Sequence, residues 1–569
     1  MLTGAARLGS TSTSTLILHD SRWNVTGDST LTTLVNDPSL IAFSTPGGEP
    51  ALASSYKTLS TANYSGDGTI ALNAYLGEDG APADRLVIDG GFAVGTSLLR
   101  VTNTGGPGAV TTGNGLEVIG TRNGGATASN AFTVDPDQPV VAGPYEYLLY
   151  RGSADGSAPQ SWYLRSVLDC FAPGRPSPPC PPAAPTPPAP EPPAPPAPPA
   201  PPTPPAPPTP PPVPPPVPPP DPGPTPRPIP HYRREVSLVA ALPAMALYYD
   251  RALVSTLETR TGGLAPLQSA SERARTDDIA NTAWARVFVV DGERSGDPIG
   301  IYGFDGPRFD YQFRALQAGT DLYRGEDAQD RRRDRAGVFI AYGKGDADVT
   351  HHLADVATYD AGHDKFDAAT VGGYWTHQGV KARYVDAVVH ATWYDFTSVP
   401  NRLGPSSADG FGWGASVEGG WALALDEPGR WHLNPQAQLM YQRISIDDMV
   451  DGVSGIRFDD TDSFIGRLGV SVDRDWAGET AQGRPRRTIV WLRANVWHEF
   501  QGTPRVEFSS SRGFIPFEAD LGGTWGELGI GLSMQVSQTL RVLVEAGDSS
   551  TFDGKDEAWN GNVALRWQW

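Results

Sequence analysis

The sequence predicts an all-β chain in three parts: short stacked strands, a proline-rich linker, and a twelve-stranded antiparallel β-barrel that spans a membrane. Three observations carry this expectation. Beyond residue 280, segments of about 9–15 residues alternate apolar with polar or small side chains, the period of strands with two unlike faces. Of the 56 prolines, 36 fall between Pro173 and Pro230. No run approaches the roughly 18–20 apolar residues a spanning helix needs. The nearest, Val236–Tyr249, is short and contains Pro243.

Composition narrows the function classes. A chain of 569 residues with net charge −20 has no basic footprint, so no nucleic-acid partner is expected. Charged residues at 19% exclude a disordered polyelectrolyte. The amino terminus, MLTGAARLGSTSTS, lacks the basic and apolar stretches of a signal peptide, which predicts either a cytosolic chain or a fragment or misassigned start whose true beginning lies upstream.

In residues 1–63, and on to 169, brief β-like runs such as Thr15–Leu18, Arg85–Ile88 and Leu98–Thr102 alternate with turn pairs such as Gly66-Asp67 and Asn123-Gly124. Strands this short suit a parallel β-helix whose coils stack apolar residues inward; an antiparallel sandwich is the alternative. Residues 170–230 form the linker. Polyproline II at about 3.1 Å per residue makes it a stiff spacer of roughly 180 Å between independent bodies, with an SH3-type ligand as the alternative. Cys170 and Cys180 bracket its start, as a disulfide loop or as two free thiols.

Residues 231–262 contain the one expected helix, over Val236–Thr259, with Leu238, Leu242, Met245, Tyr249, Leu253 and Leu257 at helical spacing. Residues 280–569 then supply twelve strands, near 284–290, 310–323, 335–344, 366–377, 380–396, 411–425, 431–445, 463–473, 487–499, 525–537, 539–547 and 559–569. In Trp525–Val536 one face is Leu528, Ile530, Leu532, Met534 and Val536, the other Glu527, Gly529, Gly531, Ser533 and Gln535. Segments this long fit tilted membrane-crossing strands better than soluble ones. Aromatics near segment ends, at Tyr374, Trp375, Trp393, Tyr394, Trp413, Trp431, Trp491, Trp497, Trp525, Trp567 and Trp569, are expected to form interfacial girdles. Arg286, Glu418, Arg467, Arg493 and Glu527 are expected to line a wet lumen.

The arrangement resembles the autotransporters of Gram-negative bacteria (type V secretion), in particular the pertactin-like branch. The residues that carry the resemblance are YSGDGTIALNAYLG at 64–77, DRLVIDGG at 84–91, VTNTGGPGA at 101–109, TTGNGLEVI at 111–119, YEYLLYRG at 145–152 and SWYLRS at 161–166. After the linker come YRREVSLVAALPAMALYYDRALVSTLETR at 232–260 and WARVF at 284–288. The resemblance implies a right-handed β-helix passenger, with 64–169 as an autochaperone region that folds first and templates the coils above it. It implies a lumenal helix over Leu242–Thr259 and an outer-membrane barrel with Trp567 and Trp569 as its carboxy-terminal assembly signal. It also implies outer-membrane lipid, the barrel-assembly machinery and periplasmic chaperones as partners, and a host-surface receptor if the passenger is an adhesin. An exported hydrolase with its catalytic part upstream of Met1 is the alternative. A plain pore leaves the autochaperone-like block and the spacer unexplained.

Other motifs read as structure. Gly27-Asp28-Ser29 lacks the Asp-x-x-His end of a lipase triad and fits a turn between coils. His351, His352 and His363, with Asp346, Asp348 and Asp364, have metal-ligating side chains but are expected in a loop between strands three and four. Arg331–Arg335 reads as a rim patch. The helix has no Asn pair, and Asp250 and Glu258 are its only acids, so no self-cleavage site is assigned. No phosphate loop, paired-cysteine or zinc motif appears, so no catalytic residue, metal or cofactor is expected.

Overall fold

A computed structural model describes residues 1–9, 12–168, 229–254, 282–297, 299–327, 332–354, 357–379, 383–427, 430–479, 485–537 and 539–568. Cys170, Cys180, most of the proline tract, residues 255–281 and Trp569 lie outside the described residues.

The amino-terminal region is a two-sheeted solenoid. One sheet stacks Leu2–Gly4, Arg22–Val25, Leu40–Phe43, Thr69–Ala74, Ser97–Asn103 and Phe132–Val134, every pair parallel. The other stacks Thr15–His19, Ser29–Asp37 and Thr58–Gly66, then Arg85–Asp89 and Leu116–Arg122, again in parallel. Register aligns like with like. Trp23, Ile41, Ile70 and Leu99 are successive partners in one column, and none is more than 1% exposed. A four-residue strand cannot bury an apolar side chain alone, so each coil depends on its neighbours. At one corner Asn36, Gly66 and Gly95 stack. A Cβ on Gly95 would sit 2.0 Å from Gly66 O, and its φ of +112° would strain any other residue.

The sandwich alternative fails for these coils, but the last layer is antiparallel. Trp162–Arg165 pairs antiparallel with Leu116–Arg122 on one side and with Leu148–Arg151 on the other. The spacer expectation also needs correction. Val167 and Leu168 pair antiparallel with Pro230 and Ile229, so the two ends of the proline-rich segment lie side by side. A tract whose ends meet does not hold its flanking bodies apart.

Residues 282–568 close into one antiparallel barrel. Its twelve strands are Thr282–Arg294, Arg308–Asp327, Arg332–Leu353, Ala357–Gln378, Arg383–Pro400, Ser406–Trp421, Trp431–Ile446, Thr461–Glu479, Pro485–Glu499, Gly523–Gln535, Leu540–Thr551 and Asp556–Gln568. Strand one pairs with strand twelve from Thr282↔Gln568 to Arg294↔Asp556, which removes both sheet edges. The two faces are inverted relative to a soluble protein. Leu528, Ile530 and Leu532 are exposed at 67%, 54% and 39%, whereas Ser533 is buried.

That inversion holds over only part of each long strand. In strand three Val338, Ile340 and Tyr342 face outward, and further along the same face carries Lys344, Asp346 and Asp348. There the inward positions Ala347 and Val349 are apolar and buried. Strands three and four run 22 residues, about twice what a bilayer crossing needs, so one end stands clear of the lipid and reverts to soluble-protein patterning. Outward charges in this part pair across strands: Lys344 with Asp367 at 2.7 Å and Arg314 with Asp346 at 3.1 Å.

Two expectations are overturned here. His351, His352 and His363 lie within strands three and four, not in the loop between them. The predicted girdle also splits. Trp375, Trp393, Trp413, Trp431 and Trp567 are outward and exposed, but Tyr374, Tyr394, Trp491, Trp497 and Trp525 are buried inside. Position near a strand end does not place an aromatic; the parity of its position does. The inward rings fill recesses over glycines: a Cβ on Gly531 would lie 2.1 Å from Trp491 Cζ2, and one on Gly372 2.2 Å from Phe339 Cζ.

A helix, Glu235–Val254, runs inside the barrel, apolar on all sides and almost wholly buried. The expected helix extended to Thr259; its last five positions lie outside the described residues. Pro243 removes one amide donor from its interior. Around it pack Phe288, Phe309, Phe313, Phe366, Tyr394, Phe396 and Ile444.

Substituting Ile70→Ala deletes one member of the passenger column and is expected to cost about 2–5 kcal/mol. Urea unfolding followed by tryptophan fluorescence measures it, with the barrel's heat-modifiable gel mobility unchanged.

Candidate functional site: the plugged lumen and its mouth

The helix enters from the rim where the passenger sits and divides the lumen by chemistry. Tyr248 and Tyr249, past its midpoint, meet the aromatic lining, and its last turns also reach polar groups. Asp250 accepts hydrogen bonds from Tyr394 Oη at 2.7 Å and Thr392 Oγ1 at 3.1 Å, and its Oδ2 lies 3.3 Å from His390 Nε2. Both the aspartate and histidine side chains are fully buried. Tyr248 donates to Asp556 at 2.8 Å, and Arg294 spans Tyr248 and Asp556 at 3.1 and 3.0 Å. Arg286 donates to the carbonyl of Leu253 near the helix end and to Gln317 Oε1.

Below the helix the wall is charged but paired. Arg467 lies 3.1 Å from Glu418 and donates to Gln436 and Asn495. Arg493 bridges Glu527 and Glu545 at 3.0 and 2.5 Å, and Asn495 and Trp497 also donate to Glu527. Arg286, Glu418, Arg467 and Arg493 are buried, while the Glu527 side chain keeps 11% exposure. A cavity of about 120 Å³ lies beside the helix end, lined by Arg251, Arg286, Arg493, Trp525, Glu527 and Glu545. Glu545 of this lining and the buried Asp250–His390 pair elsewhere along the helix were missed in the sequence. Glu545 follows the inward parity of strand eleven; the Asp250 partner follows from no local pattern. Trp567 is exposed at 58% on the outer surface of strand twelve.

At the mouth a second charge network ties helix, barrel and passenger together. Arg402, between strands five and six, forms a bidentate pair with Glu146 of the passenger, both bonds 2.9 Å, and lies 3.4 Å from Glu235 of the helix. Arg233 pairs with Asp451 and donates to Ser454 Oγ at 3.0 Å. His231 Nδ1 lies 3.0 Å from Glu146 O. Burial pushes His231 below its ordinary 6.5, an effect that outweighs the nearby Glu146 carboxylate and is reinforced by Arg402 and Arg234. For Glu146 burial acts upward, but the Arg402 guanidinium more than offsets it and the carboxyl lies below its ordinary 4.5.

The putting-together of an outward apolar belt, a polar paired wall and a lumen closed by the chain's own helix defines an outer-membrane β-barrel of a Gram-negative bacterium. Residues 283–547 match the Autotransporter beta-domain family, and residues 29–149 match Autochaperone Domain Type 1. Together these two matches support an autotransporter.

It is 28% identical over 464 residues to the "Adhesin BmaC autotransporter" of Brucella suis, an alignment covering 79% of this chain and 12% of that protein. It is 26% identical over 524 residues to the "Uncharacterized protein YdeU" of Escherichia coli K12, covering 89% of this chain and 97% of that one. The solved transport unit of the autotransporter AIDA-I from Escherichia coli covers 60% of this chain and 100% of its own, with 14% identity and a TM-score of 0.41.

Substituting Arg493→Ala removes the guanidinium that bridges Glu527 and Glu545, and is expected to destabilise the barrel by about 3–5 kcal/mol. The temperature at which folded gel mobility is lost in detergent reads this. At the mouth the signs of both shifts agree. A histidine held below 6.5 costs the docked state stability as pH falls below 6.5; a carboxylate held below 4.5 supports it above 4.5 and loses that support at lower pH. The urea midpoint for passenger undocking is therefore highest above pH 6.5 and falls in two stages on acidification. In His231→Gln the first stage is absent.

Proposed function

We propose that the barrel exports the β-helical passenger and anchors it at the cell surface, and that the structure represents the state after export. The observation that carries this reading is the path of the chain. From the passenger it enters one rim, forms the helix inside the lumen, and reappears as strand one, whose first residue Thr282 pairs with Gln568 at the opposite rim. A passenger on the far side of a pore that its own chain traverses is the topology export leaves behind.

The passenger rim carries the longer connections, including a four-stranded sheet built from 449–458 and 505–518, as expected for the extracellular side. Stacked coils support folding that proceeds from one end, which drives export without a nucleotide energy source. We further propose that residues 64–169 act as the autochaperone that starts this folding, with Arg286, Glu418, Arg467, Arg493 and Glu527 lining the route. Adhesion is the activity the adhesin-named relatives favour for the passenger, with a host-surface receptor as its partner.

The test expresses the chain behind a cleavable signal peptide in a Gram-negative host and shaves intact cells with protease. Loss of the 1–169 epitope, with a protected fragment near the size of 231–569, is expected. An epitope lost only after the outer membrane is opened overturns the reading. Deleting 64–166 is expected to leave the remaining passenger stalled or degraded in the same assay.

A further inference from the structure

Residues 229–233 follow the proline tract in sequence, on the barrel side of it, yet they complete the passenger's last layer. On one edge Ile229 and Pro230 pair antiparallel with Leu168 and Val167, and the His231 amide donates to Ser166 O at 2.7 Å. On the other edge the Glu146 amide donates to His231 O at 2.9 Å, and the Arg233 amide donates to Pro144 O at 2.9 Å. Tyr232 bridges to Tyr145 in the backbone ladder. The segment is therefore a strand laid between two passenger edges, held by main-chain hydrogen bonds on both sides.

Side chains lock it in place. The Tyr232 ring stacks on Tyr145 with centroids 5.6 Å apart and meets the edge of Phe517, from the connection between strands nine and ten, at 4.8 Å. Arg233, fully buried, donates through Nε to Gly143 O at 2.6 Å. Arg402 holds Glu146 bidentately, and the Ser511 amide donates to Gly108 O at 2.8 Å. Val167, Leu168, His231 and Arg233 are all buried.

From this geometry we infer that passenger and barrel are joined by insertion of strand 229–233, and that the proline tract is not the link that holds them. A passenger severed anywhere in 170–228 stays on the barrel through this strand. Main-chain pairing on both edges supplies affinity, and the tyrosine stack and the Arg402–Glu146 pair fix register. The same strand couples folding to export. It leads directly into Glu235, so the passenger's last layer closes only when the helix occupies the mouth, and the closed layer sets the helix depth.

This goes beyond export and surface display, and its test is read on purified protein, so failure of either reading leaves the other intact. A site for a sequence-specific protease is inserted after Ala200 in the full chain. The protein is purified from outer membranes in detergent, cut, and separated by gel filtration. Both fragments are expected to co-elute. Elution of the passenger fragment by itself immediately after cutting overturns the inference. His231→Pro deletes the amide that donates to Ser166, and Arg402→Glu sets a like charge against Glu146. Each is expected to speed separation at least about tenfold. Should both variants hold as long as the parent chain, something other than the inserted strand makes the joint. A free peptide of residues 226–234, added in excess, is expected to displace the barrel from the cut passenger; no displacement counts equally against the inference.

Discussion

The structure depends on a single constraint: every face of every strand must suit the solvent it meets, and along this barrel the solvent changes. Within the lipid the outer face is apolar, as with Val338 and Ile340. Beyond it the same face carries Lys344, Asp346 and Asp348. The inner face changes in the opposite sense, from paired charges to aromatic rings. This double inversion decides where an apolar helix can rest. Glu235–Val254 is hydrophobic all round, so it sits where the lining is Phe309, Phe313, Phe366 and Phe396, and it ends where Arg286 and Asp250 find polar partners.

Below that level the lumen faces a different problem. Arginines and carboxylates away from bulk water are costly unless paired and hydrogen-bonded. Arg467 with Glu418, and Arg493 with Glu527 and Glu545, solve it by cross-strand neighbourhood. Their register follows from barrel closure, since a slip of one residue would turn every charge toward lipid. Glycines opposite inward rings serve the same packing. At Gly531 and Gly372 the missing Cβ makes room for Trp491 and Phe339.

The passenger solves burial by repetition rather than by closure. Its strands are too short to form a core individually, so columns such as Trp23, Ile41, Ile70 and Leu99 build one by stacking. A stack needs an end, and the antiparallel layer of Leu148–Arg151 and Trp162–Arg165 supplies it. Beside that layer, a strand borrowed from across the proline tract, residues 229–233, pairs with residues 166–168 and 144–146. The borrowed strand brings Glu146, Arg402 and Glu235 together, so passenger, barrel and helix meet at a single buried charge network.

Much of this was written locally. Period two with exposed Leu528, Ile530 and Leu532 against Ser533 is a property of neighbouring residues, so the strands, their number and the inverted faces could be read directly from the chain. The all-round apolar helix was legible for the same reason. Three things were not. Strand-end aromatics do not declare their side: Trp375 and Trp491 look alike in sequence, and parity within the closed barrel separates them. His351 and His363 read as loop residues because strands three and four outrun the bilayer, a length that their shared ladder, outward ion pairs and inner packing against the helix sustain. Lastly, a proline tract reads as a spacer from its own stiffness. That its ends meet depends on hydrogen bonds from residues 229–233 to residues 144–146 and 166–168, and contacts at such sequence separation exist only once the passenger, mouth and helix have folded against one another.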